Sequence, residues 1–199
     1  MARPRAHLNL SALTDAFASD GLHGISATEL AAAVGVAKPT LYAHGTSKEA
    51  LFLSAVESEV ERVADRLQAA EAATVGRCAH DRATAVAHAL LNHAAARPEG
   101  TRLLCHTAHH TSSEVAAAAA AALNRVPNRI TQMLRHDLKA DNLDPSLAPF
   151  MARALYASAF ALGGPVNGGR RPARERLARL AAAVVPLPAS VPAEEWPSA

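Results

Sequence analysis

The sequence predicts an all-α protein: an amino-terminal three-helix unit with a helix-turn-helix arrangement, followed by a larger helical domain. Three observations carry this prediction. Half of the 199 residues are hydrophobic but only 4% are aromatic, a balance that suits closely approaching, alanine-rich helices better than sheets, which favour aromatic and β-branched residues. Apolar residues recur at helical spacing in one segment after another, and nothing reads as a strand. Three Ser/Thr-x-x-Glu pairs, Ser26–Glu29, Thr46–Glu49 and Thr111–Glu114, have the form of capping boxes and mark helix starts.

In chain order, residues 1–8 form a basic arm with Arg3, Arg5 and His7. A first helix places Leu10, Leu13 and Phe17 on one face and stops near Gly21, a natural C-cap. The Ser26–Glu29 box opens a short helix, about Ala27 to Val34, with Leu30, Ala31 and Val34 inward and Gly35 ending it. A third helix runs from about Lys38 to Ala43, with Pro39 tolerated in its first turn. The Thr46–Glu49 box opens a long helix with Phe52, Val56, Val60, Val63 and Leu67 on one face. Its pattern breaks between Ala73 and Gly76.

A helix over about 79–96 ends before Pro98, and a shorter one is expected from Pro98 to about His110. The Thr111–Glu114 box begins "VAAAAAAALNRVPNRITQMLRHDL", in which Pro127 is expected to kink or split the helix. Asp144 and Pro145 read as the N-cap and first residue of a helix carrying Leu147, Met151, Ala154, Leu155, Ser158 and Leu162. Ser158, the polar member of that face, can bond back to a carbonyl one turn earlier. "GGPVNGG", Gly163 to Gly169, is a loop. A last helix presents Leu177, Leu180 and Val184, and a tail with Pro186, Pro188, Pro192 and Pro197 is expected to be disordered. The predicted division is 1–52, 53–186 and a tail at 187–199.

The formal charge of +2 and a pI near 8.8 permit nucleic-acid binding without demanding it. Two cysteines, Cys78 and Cys105, give no disulfide framework and fit a reducing compartment. No apolar run approaches the ~20 residues of a membrane span, and Asp15 arrives too early for a signal-peptide core. A cytoplasmic protein without a membrane partner is expected.

The segment "VGVAKPTLYAHGTSKEAL", Val34 to Leu51, packs a glycine turn, a lysine, a tyrosine and a histidine between two helix starts. Two short helices joined at Gly35 after a third make a helix-turn-helix, whose second helix fits the ~12 Å major groove of DNA. The helix ends at Ser26–Thr28 and Thr46–Lys48 offer free N–H groups and a positive dipole end to phosphates on either side.

"LTDAFASDGLHGISATELAAAVGVAKPTLYAHGTSKEALFLSAV", Leu13 to Val56, resembles the DNA-binding domain of the TetR family of bacterial transcriptional regulators. The ordered set Gly21, Leu30-Ala31, Gly35-Val36, Pro39-Thr40-Leu41-Tyr42, His44 and Lys48-Glu49-Ala50-Leu51 carries the resemblance. The resemblance implies that Thr28 contacts a phosphate or base edge, and that Lys38, Pro39 and Thr40 face the groove. It implies further that Tyr42 and His44 hold phosphates and that Lys48 pairs one at the start of the long helix, while Leu41 points into the core. Three positions depart from the family pattern. Ala37 leaves a weak cap, Ala43 offers a base at most a methyl contact, and Gly45 stands where a bulky apolar residue usually packs. Residues 1–48 carry Arg3, Arg5, Lys38 and Lys48 against Asp15, Asp20 and Glu29, a net of +1, so binding is expected to depend on dimerisation.

For the remainder the resemblance implies a ligand-binding and dimerisation domain. Apolar and aromatic residues of the middle and late helices, Leu104, Met133, Met151, Tyr156 and Phe160, are the candidate lining of a small-molecule pocket. The last two helices are the candidate interface of a homodimer that reads an inverted-repeat operator. Such a protein is expected to be a repressor released by an apolar or amphipathic effector. No enzyme signature is present: there is no GxSxG, phosphate-cradling glycine loop or HExxH, and neither catalysis nor a cofactor is expected. Cys105, His106, His109 and His110 share helix faces at i, i+4 spacing but lack a nearby acidic cluster, so no metal site is assigned. The alternative is a helical ligand-binding protein or enzyme whose helix-turn-helix no longer reads DNA, a reading that Ala43 and Gly45 motivate.

Overall fold

The computed structural model describes residues 8–44, 47–107, 113–163 and 178–183, without the side chains of His44, His106, Ser113 and residues 161–163. The expectations for the basic arm, Gly45, Thr46, His109, His110, the Thr111 cap, the loop after Gly163, Leu177, Val184 and the tail lie outside these residues. Among the described residues every regular element is a helix. The helices are α1 (Leu10–Gly24), α2 (Ala27–Val34), α3 (Lys38–His44), α4 (Lys48–Ala72), α5 (Ala79–Ala96), α6 (Pro98–His106), α7 (Ser113–Ala140) and α8 (Ala148–Gly163). Residues 178–182 are also helical.

The chain divides into two compact units. The first holds residues 1–62 and, from later in the chain, 99–123; the second holds 63–98 and 124–199. α4 and α7 contribute to both.

In the first unit, Asn9 caps α1 by accepting from the Ala12 N–H at 3.1 Å. α1 buries Leu13, Phe17 and Leu22. Gly21 breaks its helical geometry with φ 71° and ψ 177°, a conformation that favours glycine. Phe17 meets Phe52 of α4 edge-to-face at 5.3 Å, an arrangement that aromatic quadrupoles favour. In the second unit α8 packs along α5. Small buried residues, Ala83 and Ala87 on α5 and Ala148, Ala152 and Ala159 on α8, explain how an aromatic-poor chain builds a dense core.

Two local expectations change. α7 runs unbroken through Pro127, so the proline does not split it. Val126, Ile130, Met133, Leu134 and Leu138 are buried on both sides of it, and a break would forfeit that burial to recover one backbone bond. Asp144 caps a 3₁₀ turn, Pro145–Leu147, and α8 starts only at Ala148. The Asp144 carboxylate accepts from both the Ser146 N–H and its hydroxyl at 2.8 Å, which tightens the entry. At the head of α4, Ser47 Oγ accepts from the Ala50 N–H at 3.1 Å; Thr46, the expected cap, lies outside the described residues. Ser158 bonds back to the Leu155 carbonyl at 3.1 Å, as its place on α8 predicts.

Candidate nucleic-acid interface

The geometry of α2 and α3 follows from local chemistry. Ser26 Oγ accepts from the Glu29 N–H at 3.2 Å, and the Glu29 carboxylate accepts from the Ser26 N–H at 2.8 Å. The capping box is complete. Its bonds, first that to the Ser26 side chain and then that to its backbone, hold the Glu29 pKa below the usual carboxylate value. α2 ends at Gly35, which adopts φ 75° and ψ 29°. The Gly35 N–H reaches the Ala32 carbonyl at 3.1 Å and the Val36 N–H the Ala31 carbonyl at 3.0 Å. This left-handed stop turns the chain sharply. Ala37 then receives the Thr40 and Leu41 N–H groups on its carbonyl at 2.9 and 3.0 Å. It begins α3 through its backbone alone.

α3 has a sharp inside and outside. Leu41 is fully buried and fixes the rotation of the helix. Lys38, Pro39 and Ala43 are consequently exposed, and Thr40 and Tyr42 are half-buried. Thr28 is exposed in the first turn of α2. The structure thus places Thr28, Lys38, Pro39, Thr40 and Tyr42 at least partly at the surface. The His44 side chain is outside the described residues.

Lys48 is placed differently. It is half-buried, and its ammonium donates to the Ile25 carbonyl at 3.0 Å. This bond fastens the head of α4 to the turn between α1 and α2. Sequence reasoning missed it, because residues 23 positions apart share no local pattern. An ammonium has three donors, so the bond leaves donor capacity for a phosphate.

Of the five residues expected to line a ligand pocket, Met133, Met151, Tyr156 and Phe160 belong to the second unit and Leu104 to the first. Tyr156 and Phe160 stack on α8 at 4.7 Å with a 45° tilt. Met151 is half-buried, and Met133 is buried on α7. Leu104 is buried within the first compact unit.

Met133 also lines a cleft of about 400 Å³ in the second unit, together with Glu71, Arg82, Arg129, Gln132 and His136. Arg82 Nε lies 3.0 Å from Asp137 Oδ2, and its Nη2 donates to the Thr74 carbonyl at 3.0 Å. The Arg82–Asp137 approach is a charge contact rather than an aligned hydrogen bond. Burial pushes the Asp137 pKa up, and the Arg82 charge opposes the rise. Arg129 Nη2 meets Glu71 Oε2 at 2.9 Å. The only sequence signal for this cleft is the spacing of Arg129, Gln132, Met133 and His136 along one face of α7. Its other walls come from α4 and α5, far earlier in the chain.

Among the described residues no group of histidine, cysteine and carboxylate side chains can hold a metal ion, and no helix is long and apolar enough to cross a membrane. Cys105 is free, and burial raises its thiol pKa.

Residues 10–55 match the family model for bacterial regulatory proteins of the tetR family. Solved structures share the fold across most of the chain. One is a TetR-like transcriptional regulator from Rhodococcus sp. RHA1, with TM-score 0.69 and 22% identity over 87% of this chain and 90% of that one. Another is the fatty acid degradation regulator FadR from Bacillus halodurans, with TM-score 0.71 and 15% identity over 87% and 95%. A third is the TetR family regulator PfmR from Thermus thermophilus, with TM-score 0.66 and 19% identity over 88% and 94%. No curated protein matches the sequence.

Proposed function

We propose that this chain, a DNA-binding transcriptional regulator with the amino-terminal domain of the TetR family at residues 10–55, acts as a homodimeric repressor that an amphipathic small molecule releases from a palindromic operator. The observation that carries the DNA-facing part is the polarity of α3: a fully buried Leu41 behind an outward Lys38 and Pro39. A seven-residue helix held by one apolar side chain and a glycine turn presents its other face to a groove. Thr28, Lys38, Pro39, Thr40, Tyr42, His44 and Lys48 are the proposed contacts. Thr40 reads base edges, and the lysines and hydroxyls position the protein on phosphates.

Functionally, residues 1–52 bind DNA and 53–186 sense the effector and dimerise. The exposed side chains of Phe150 on α8, Leu147 just before it and Leu180 support the dimer. They are large apolar groups that a monomer leaves in water. Two such subunits present their α3 helices to grooves one turn apart, roughly 34 Å. Effector binding shifts the population toward a form that no longer matches this spacing, by no more than its differential affinity for the two forms. Met133, Met151, Tyr156 and Phe160 supply candidate apolar contacts for it in the second unit, and Leu104 in the first.

Selection of bound sequences from a random DNA pool tests the reading. An enriched inverted repeat is expected, Thr40→Ala should change the preferred sequence, and Lys48→Ala should weaken all sequences alike. Recovery of no enriched sequence by the folded dimer would refute it.

A further inference from the structure

The cleft lined by Glu71, Arg82, Arg129, Gln132, Met133 and His136 is unlike an apolar pocket. Its volume of about 400 Å³ lies within the range of small-molecule sites. Its polar groups point to one class of ligand. Two guanidinium groups, an amide and an imidazole line it against a single lining carboxylate, Glu71.

The two arginines differ in how tightly they are held. The Arg82 side chain is only 12% exposed and lies against Asp137, itself 6% exposed. Together with the bond to the Thr74 carbonyl, this holds Arg82 in the cleft wall as one half of an ion pair, which leaves Arg129 as the guanidinium that can turn to a ligand. The Arg129–Glu71 pair, by contrast, is 38% and 39% exposed, and ion pairs at that exposure contribute little to stability. Arg129 therefore exchanges one carboxylate for another at small cost. Its planar fork suits bidentate capture of a carboxylate. Gln132 and His136, one turn and two turns along α7, add donors beside it, and the Met133 thioether gives an adaptable apolar contact.

We propose that this cleft binds a small organic carboxylate, whose anionic head displaces Glu71 from Arg129 while its apolar body rests on Met133. This assignment deepens the sensor reading above and rests on it for its regulatory meaning. Glu71 thus acts as a resident stand-in for the ligand head group.

Calorimetry on the full-length protein tests the site directly, with acetate, hexanoate and benzoate as probes. Benzamide serves as a neutral control, benzamidine as a cation and inorganic phosphate as a mineral anion. Hexanoate or benzoate should bind more tightly than acetate, benzamide and phosphate. Arg129→Gln should weaken binding at least about tenfold, the loss expected for a charge-assisted bond. Glu71→Gln should tighten it, because the competing carboxylate is gone, a result that a purely structural ion pair does not produce. Arg125→Gln, on an exposed part of the same helix, should leave binding unchanged.

Absence of binding by all three carboxylates, preference for benzamidine or phosphate, or weaker binding in Glu71→Gln would each overturn the proposal. Release of operator DNA is measured separately. Carboxylate binding that leaves DNA retention intact refutes the sensor reading but keeps the site. Release of operator DNA by hexanoate or benzoate that survives Arg129→Gln refutes the site but keeps the sensor.

Discussion

Gly100, the third residue of α6, is the position where a single methyl group has the clearest consequence. A Cβ built there falls 2.8 Å from Glu59 Cγ and closer still to the Cδ and Oε1 atoms of the same side chain. Real Cβ atoms do not make such contacts, so the Glu59 side chain must move. Glu59 is fully buried on α4, and its carboxylate lies at the first turn of α6, where unpaired N–H groups and the positive dipole end favour a negative charge. Two effects oppose each other in Gly100→Ala. Helix propensity favours alanine by about 0.5–1 kcal/mol. Overpacking costs about 1–3 kcal/mol, and displacing a buried carboxylate from its surroundings costs about another 1–3 kcal/mol. Overpacking and displacement win. A net loss of about 2 kcal/mol is expected, which for a chain of this length lowers Tm by roughly 4–8 °C. Scanning calorimetry at fixed protein concentration reads it directly. In the background of Glu59→Ala, which removes all three obstructing atoms, Gly100→Ala should become neutral or stabilising. The double-mutant cycle isolates that coupling. A Gly100→Ala protein that melts at or above the parent temperature would refute the reasoning, because Glu59 then does not occupy that space.

Other perturbations test the remaining links. Lys48→Ala should reduce the salt dependence of operator binding by about one phosphate contact and also lower Tm through loss of the Ile25 bond. An unchanged salt slope would leave Lys48 with the structural role alone. Leu41→Ala should destabilise by about 2–5 kcal/mol and abolish DNA binding by loosening α3, which circular dichroism melts would detect. Glu29, with its pKa depressed by the Ser26 cap, stabilises the folded state fully above its unfolded value of about 4.5. That contribution is lost as pH falls through the depressed folded pKa, so acid melts of Ser26→Ala should show a weaker pH dependence there than the parent. Phe150→Glu should give a monomer mass by light scattering at micromolar concentration, since Phe150 is 74% exposed in a single chain.

Much of the architecture is legible in the residues alone because the signals are local. A serine three positions before a glutamate, a glycine after Val34 and a proline in the first turn of α3 each act within one helical turn. Their effect on backbone geometry needs no distant partner. The ordered motif from Gly21 to Leu51 is local in the same sense. Pro127 does not split α7 because its local preference to break a helix is outweighed by burial on both sides, which no window of sequence reports. The sensor region is less legible still. Met133 is visible as an apolar candidate, but its charged neighbours in the cleft come from α4, α5 and α7.

The sequence by itself therefore determined the helices and the Ser26–Glu29 cap, which follow from periodicity and short-range hydrogen bonding, while the facing of α3 was implied by the family resemblance. Only the tertiary structure decided that Lys48 is tied to Ile25, that Glu59 fills the space beside Gly100, and that two arginines share a cleft with Met133. Those contacts join residues many helical turns apart along the chain. Their energies arise from burial and charge proximity, which exist only once the chain has folded.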